Sequence, residues 1–90
     1  MRKINIQRTR RDYLKYSIGV ALEDLMDETR MFKISPSENQ IRLILVGIDE
    51  SILINFYEDG IEWFKCYTER NVTENNKLLQ LVEEIIRKAV

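Results

Sequence analysis

Four carboxylates crowd one short stretch, Glu23-Asp24-Leu25-Met26-Asp27-Glu28. Residues three or four apart share a helix face, so Glu23 with Asp27 and Asp24 with Glu28 place oxygen ligands together, the donor type that a hard cation such as Mg²⁺ takes. The same four suit a second role, an acidic surface matched to a basic protein partner. Opposite in sign are Arg2, Lys3, Arg8, Arg10, Arg11 and Lys15, which face only Asp12 within residues 1–15; that segment carries +5 and leaves -6 for residues 16–90 of a chain whose net charge is -1. With Tyr13 and Tyr16 interleaved, these cations make a candidate nucleic-acid-binding arm that would contact phosphates.

What is missing narrows the chemistry further. The chain has no His, which removes imidazole acid-base catalysis, His-metal ligation and the triads built on a His base. Cys66 is the single cysteine, so neither an internal disulfide nor a Cys-based zinc site can form in one chain, and a reducing compartment is expected. With apolar strand neighbours and no His, Cys66 has no evident cause for a reactive thiolate and reads as a small core or interface residue. There is no glycine-rich phosphate loop. Asn71-Val72-Thr73 matches the glycosylation pattern but follows no export signal. The acidic stretch resembles motifs of Mg-dependent pyrophosphate-handling enzymes, but those use a second acidic helix for which Glu83-Glu84 is a poor substitute. The expectation is a non-enzymatic protein with no cofactor and no metal.

Around these groups the elements follow from periodicity. Thr9-Arg10-Arg11-Asp12 has the form of a capping box, and Leu14, Ile18, Leu22 and Leu25 recur at helical spacing after it, which predicts a helix over about 10–29. Gly19 inside it costs roughly 1 kcal/mol against Ala. Phe32 and Ile34 alternate with polar residues before Pro36-Ser37-Glu38-Asn39, a short strand and a loop. Residues 41–48, 52–57 and 61–68 are rich in branched and aromatic side chains, and Asp59-Gly60 between the last two signals a two-residue hairpin. Thr73 is expected to cap a second helix over about 74–89, with Leu78, Val82, Ile85, Ile86 and Ala89 as its apolar stripe.

Pairing Glu58 with Ile61 sets Phe56 opposite Trp63, and a turn at Asp49–Ser51 sets Ile48 opposite Ile52 and Arg42 opposite Glu58. One sheet face then holds Ile44, Val46, Ile48, Ile52, Ile54, Phe56, Trp63 and Tyr67, the other Ile41, Leu43, Leu45, Leu53, Tyr57, Phe64 and Cys66. Both faces are mostly apolar. Either one helix covers each, or the second face, with Leu43, Leu45, Tyr57 and Phe64, is an interface toward a partner or a second copy.

The reading is therefore a single α+β domain over residues 1–90: a two-layer fold in which a three- or four-stranded antiparallel meander is flanked by N- and C-terminal helices, with residues 1–8 as a basic arm. No membrane span is expected, since the longest apolar run, Leu43 to Ile48, falls far short of the roughly 20 residues required, and a cytoplasmic location follows. The helix-strands-helix order over about residues 9–90 is similar to the double-stranded RNA-binding domain. That family has a Lys-rich start to its last helix, where Thr73-Glu74-Asn75-Asn76-Lys77 holds one Lys. Ile, Asn and Lys (12, 6 and 6) far outnumber Ala, Gly and Pro (2, 3 and 1), as in chains from AT-rich genomes such as those of many phages. The expected function is a small protein-binding regulator or inhibitor, of the phage or mobile-element kind that blocks a host nucleic-acid enzyme in an anti-defence or anti-CRISPR role. It would act through Glu23, Asp24, Asp27 and Glu28 and the second sheet face, as a homodimer. The alternative is a nucleic-acid-binding regulator that uses the basic arm.

Overall fold

A computed structural model describes residues 2–67 and 77–90. In chain order the elements are β1 (Arg2–Asn5), a single 3-10 turn at Arg8–Arg10, α1 (Arg11–Thr29), β2 (Phe32–Pro36), β3 (Gln40–Leu45), β4 (Glu50–Phe56), β5 (Gly60–Tyr67) and α2 (Lys77–Ala89). All five strands form one antiparallel sheet in the order β1-β5-β4-β3-β2. The α+β two-layer architecture and its antiparallel meander stand as the periodicities imply. The strand missing from the sequence reading is β1: residues 2–5 are not a free arm but pair with β5, Arg2 opposite Trp63 and Ile4 opposite Ile61. Four residues carrying two cations give too short an alternation to register as a strand by themselves.

Both helices lie on the same face of the sheet. Leu14, Ile18 and Leu22 of α1 and Leu78, Val82 and Ile86 of α2 form one core with Phe32, Ile41, Leu43, Leu45, Ile52, Ile54, Phe56, Ile61 and Trp63. Burial in β3 alternates strictly, with Ile41, Leu43 and Leu45 inward and Arg42 and Ile44 outward, as a one-sided sheet requires. Arg2 and Arg87 both bind the Glu83 carboxylate, which ties edge strand β1 to α2, and the Arg87 guanidinium lies 5.7 Å from the Trp63 ring centre. The charge-assisted bond from Arg2, aided by Arg87, holds the Glu83 carboxyl below the usual carboxylate range.

Two turns sit elsewhere than their residue types suggest. The β3–β4 connection is Val46–Asp49, with Gly47 at φ 79°, a conformation that favours glycine. Val46 and Ile48 are therefore exposed turn residues and do not extend β3. The turn at Asp49–Ser51 is corrected to this one, and Leu43, not Ile48, lies opposite Ile52. That displacement is odd, so it turns every β3 side chain to the other face. Leu43 and Leu45, expected on an interface, lie beneath the helices, and Ile44 takes the outer side. At the β4–β5 hairpin the Tyr57 N–H donates to the Gly60 carbonyl at 2.8 Å, which puts Glu58 and Asp59 at the tip in place of Asp59-Gly60. The slip is even: Phe56 meets Ile61 and Ile54 meets Trp63, with faces preserved. Glu58 pairs with Arg8 at 2.8 Å, not with Arg42.

Gly60 has another task than turning. A Cβ there would come to 2.8 Å from Lys3 Cε and 3.0 Å from the Ile4 carbonyl oxygen, so β1 can lie against β5 only because the side chain is absent. Gly60→Ala is expected to destabilise by about 1–3 kcal/mol, the range for overpacking. Urea unfolding checks it, and proteolysis should show β1 released first.

The start of α1 differs as well. Arg10 is its N-cap residue and makes no side-chain cap bond, so the Thr9 capping box does not form; the chain enters through the 3-10 turn instead. At the other end Arg30 adopts the left-handed conformation, φ 55°, and its N–H donates to the Met26 carbonyl. The Thr73 cap lies outside the described residues.

Candidate functional site

Among the described residues no element covers the second face of the sheet. Its side chains form three rows across the strands. The first row runs Lys3, Glu62, Asn55, Gln40; the second Phe64, Leu53, Arg42, Ser35; the third Cys66, Ser51, Ile44, Lys33.

The first row is a hydrogen-bonded chain. Gln40 Nε2 donates to Asn55 Oδ1 at 2.7 Å, and Asn55 Nδ2 donates to Glu62 Oε1 at 3.0 Å. The Tyr57 hydroxyl donates to that same oxygen at 2.8 Å, and Lys3 Nζ lies 5.9 Å from the Tyr57 ring centre. The bonds from Asn55 and Tyr57, with the nearby Lys3 charge, hold the Glu62 carboxyl below its usual range; its acceptance of the phenol proton raises Tyr57. These bonds fix the aromatic plane of Tyr57 at the rim.

The second and third rows form a small apolar centre beside cations. Leu53 is only 8% exposed although it points to the open side, and exposed Ile44 and half-buried Phe64 share its face. Arg42 and Lys33 are exposed on the β3–β2 side and enter no ion pair among the described residues. Cys66 is exposed here with Ser51 opposite, so it lies at a surface, not in the core.

The residues expected to meet a partner therefore fall into three places. Tyr57 and Phe64 lie on the open face, Leu43 and Leu45 in the core, and Glu23, Asp24, Asp27 and Glu28 on exposed turns of α1 in the opposite layer. A flat partner cannot touch the acidic helix and the open face together. Among the described residues no three His, Cys, Asp or Glu side chains come together as a metal site.

The candidate nucleic-acid residues are also dispersed. Lys3 lies over Tyr57 and Arg2 on Glu83, while Arg8 pairs with Glu58 and Arg11 with Asp12. Arg10 stacks on Tyr13, and Lys15 Nζ donates to the carbonyls of Ser37 and Glu38. Sequence reasoning missed Gln40, Asn55, Glu62 and Arg42 as one surface. Only the strand register brings them together, and the register depends on turn positions that the apolar pattern misplaces.

Among the described residues no helix is long and apolar enough to cross a membrane. The fold defines a small α+β protein with one sheet face open. Comparison with protein-family models, with curated proteins and with solved structures gives no match.

Proposed function

We propose that the chain is a non-enzymatic binding protein that engages a protein partner through its open sheet face. One observation carries this reading: Phe64, Leu53 and Ile44 make an apolar centre on the solvent side of the sheet, framed by the Gln40–Asn55–Glu62–Tyr57 bonds on one side and by Arg42 and Lys33 on the other. An apolar core with a polar rim is the layout of a protein interface, and an aromatic residue near the centre is the usual energetic anchor. Arg42, Lys33 and Lys3 give the face a positive rim that favours a partner with acidic residues around an apolar pocket. Regulation or inhibition, including block of a nucleic-acid enzyme by a phage or mobile-element protein, is the role that such a small binding protein fits.

The cations beside Phe64 and Tyr57 favour a second reading, single-stranded nucleic acid stacked on the sheet. Capture from lysate of the source cell, with and without nuclease, separates the two. The expected result is a nuclease-resistant protein partner that is lost with Phe64→Glu and kept when Glu23, Asp24, Asp27 and Glu28 are changed to Gln or Asn. Loss with the four-residue variant alone would move the site to the acidic helix. A ligand that vanishes with nuclease and weakens steeply with salt would replace the protein partner by nucleic acid.

A further inference from the structure

The two ends of the sheet are not equivalent. Ser37 N–H donates to the Gln40 carbonyl at 2.8 Å and Val46 N–H to the Met31 carbonyl at 3.0 Å. In an antiparallel ladder the bonded positions alternate, so Met31, Lys33, Ser35 and Ser37 turn their backbone groups toward β3. Phe32, Ile34 and Pro36 turn theirs outward, to an edge that no other described strand pairs. Beside this edge runs a groove between α1 and β2, lined by Tyr16, Gly19 and Val20 of the helix and Ile34 and Pro36 of the strand. Tyr16 is 73% exposed and Val20 43%. A helix that buries only Leu14, Ile18 and Leu22 thus carries a second apolar strip along the free edge.

We propose that the protein is a homodimer in which β2 pairs antiparallel with β2 of a second copy and α1 packs antiparallel on α1 of that copy. The seam centres on Ile34. There the two Ile34 residues exchange both of their backbone bonds, and each Phe32 N–H meets the Pro36 carbonyl of the other copy. Pro36 has no N–H to return, so each Phe32 carbonyl goes without a ladder donor and the seam holds the two Ile34 bonds and the two from Phe32. On the open side Lys33 faces Ser35, so no like charges meet.

The helices supply three further arguments. The first is charge. Within α1, Lys15 and Asp12 lie toward Pro36 and Glu38, while Asp27 and Arg30 lie toward Phe32. A two-fold axis near Val20 therefore sets Lys15 of one copy beside Glu23 and Asp27 of the other, and Asp12 beside Arg30. Within one chain the arrangement opposes the helix dipole at both ends. Between two antiparallel copies it is complementary.

Gly19 is the second. A Cβ there would meet only Ile41 Cδ1 at 3.8 Å, an ordinary contact, so the chain's own packing does not require glycine and α1 gives up roughly 1 kcal/mol of helix propensity. Close approach of another helix supplies the reason. Distance is the third argument. With α1 over the β2–β3 side and strands about 4.8 Å apart, the two helices come to about 10 Å across the seam, the spacing of packed helices. The β1 edge offers less, since it is four residues long and carries Arg2 and Lys3, the charges that blunt an edge strand.

This dimer does not rest on the binding function proposed above, and it leaves the open face free. Sedimentation velocity over a dilution series, from low to high micromolar, measures it. The wild type is expected as a dimer at the upper concentrations. Val20→Glu, which sets two carboxylates near the axis at an exposed position, should weaken association at least tenfold while its circular dichroism stays unchanged. Phe64→Glu, on the open face, should remain a dimer. Protection of the Phe32 and Ile34 amides against hydrogen exchange should rise with protein concentration and be lost in Val20→Glu. A wild type that stays monomeric at high micromolar concentration overturns the proposal, as does a Val20→Glu variant that dimerises like the wild type. Loss of the dimer with Phe64→Glu alone would place the interface on the sheet face and equally refute the seam.

Discussion

Lys65→Met is expected to cost about 3–5 kcal/mol, because it leaves the Glu50 carboxylate buried without its cation. Lys65 Nζ lies 3.3 Å from Glu50 Oε2, and the two side chains are 10% and 2% exposed. Glu50 is the buried charged residue of the described core, and its second oxygen, Oε1, finds no hydrogen-bond donor among the described residues. Lys65 therefore bears most of the compensation for that carboxylate. Domains of this size hold only about 5–15 kcal/mol in total, so the loss should lower the melting temperature by more than about 12 °C. The double variant Glu50→Gln, Lys65→Met removes both charges and should recover more than half of it, since the pair's desolvation disappears with its attraction. A thermal melt of the wild type, the two single variants and the double completes the cycle. If Lys65→Met melts within about 2 °C of the wild type, the pair is not compensating a buried charge.

Trp63→Ala carries the other large effect, about 3–5 kcal/mol. Trp63 is 1% exposed, lies on β5 between Ile54 of β4 and Arg2 of β1, and has the Arg87 guanidinium over its ring. Removing the indole opens a cavity at the junction of the sheet with α2 and takes away the surface on which Arg87 rests while it binds Glu83. Trp63→Phe should cost much less. It keeps most of the ring and deletes the Nε1–H, a buried donor that finds no acceptor among the described residues. Denaturant unfolding followed by circular dichroism reads both variants, since neither retains the chain's one Trp as a fluorophore. Equal losses for Ala and Phe would mean that the indole nitrogen, not the ring volume, is what the site needs.

The elements that could be read from the sequence are those with long periodic runs. α1 ends at Thr29 as its stripe implies, β2 starts at Phe32 where the alternation does but runs on through Pro36, which the sequence pattern assigns to the loop, and the apolar segments of β3, β4 and β5 are where branched residues cluster. Harder to see were β1, too short to show a period, and the turn positions. Val46 and Ile48 look like strand residues but are exposed at a turn made possible by Gly47. Asp59-Gly60 looks like the hairpin tip, yet Gly60 is glycine to admit β1. A strand pattern states which residues alternate, not which partner they meet, and a shift of one position reverses the face. Leu43 and Leu45 therefore passed from a supposed interface into the core, and with them went half of the apolar surface expected to meet a partner.

Chemistry by residue type belongs to the sequence. The absence of His, the lone Cys66 and the opposed charges of α1 are properties of composition and spacing and hold in any fold. What the tertiary structure decided is which of these groups share a surface. It set both helices on one face, so that Phe64, Leu53 and Ile44 are left on the open side, and it put the acidic helix in the other layer. It also turned the basic segment into an edge strand whose Arg2 is held by Glu83. The physical reason is that register and layer order are chosen by turn geometry and by close backbone approach. Both depend on contacts between residues far apart in the chain, which a local pattern does not contain.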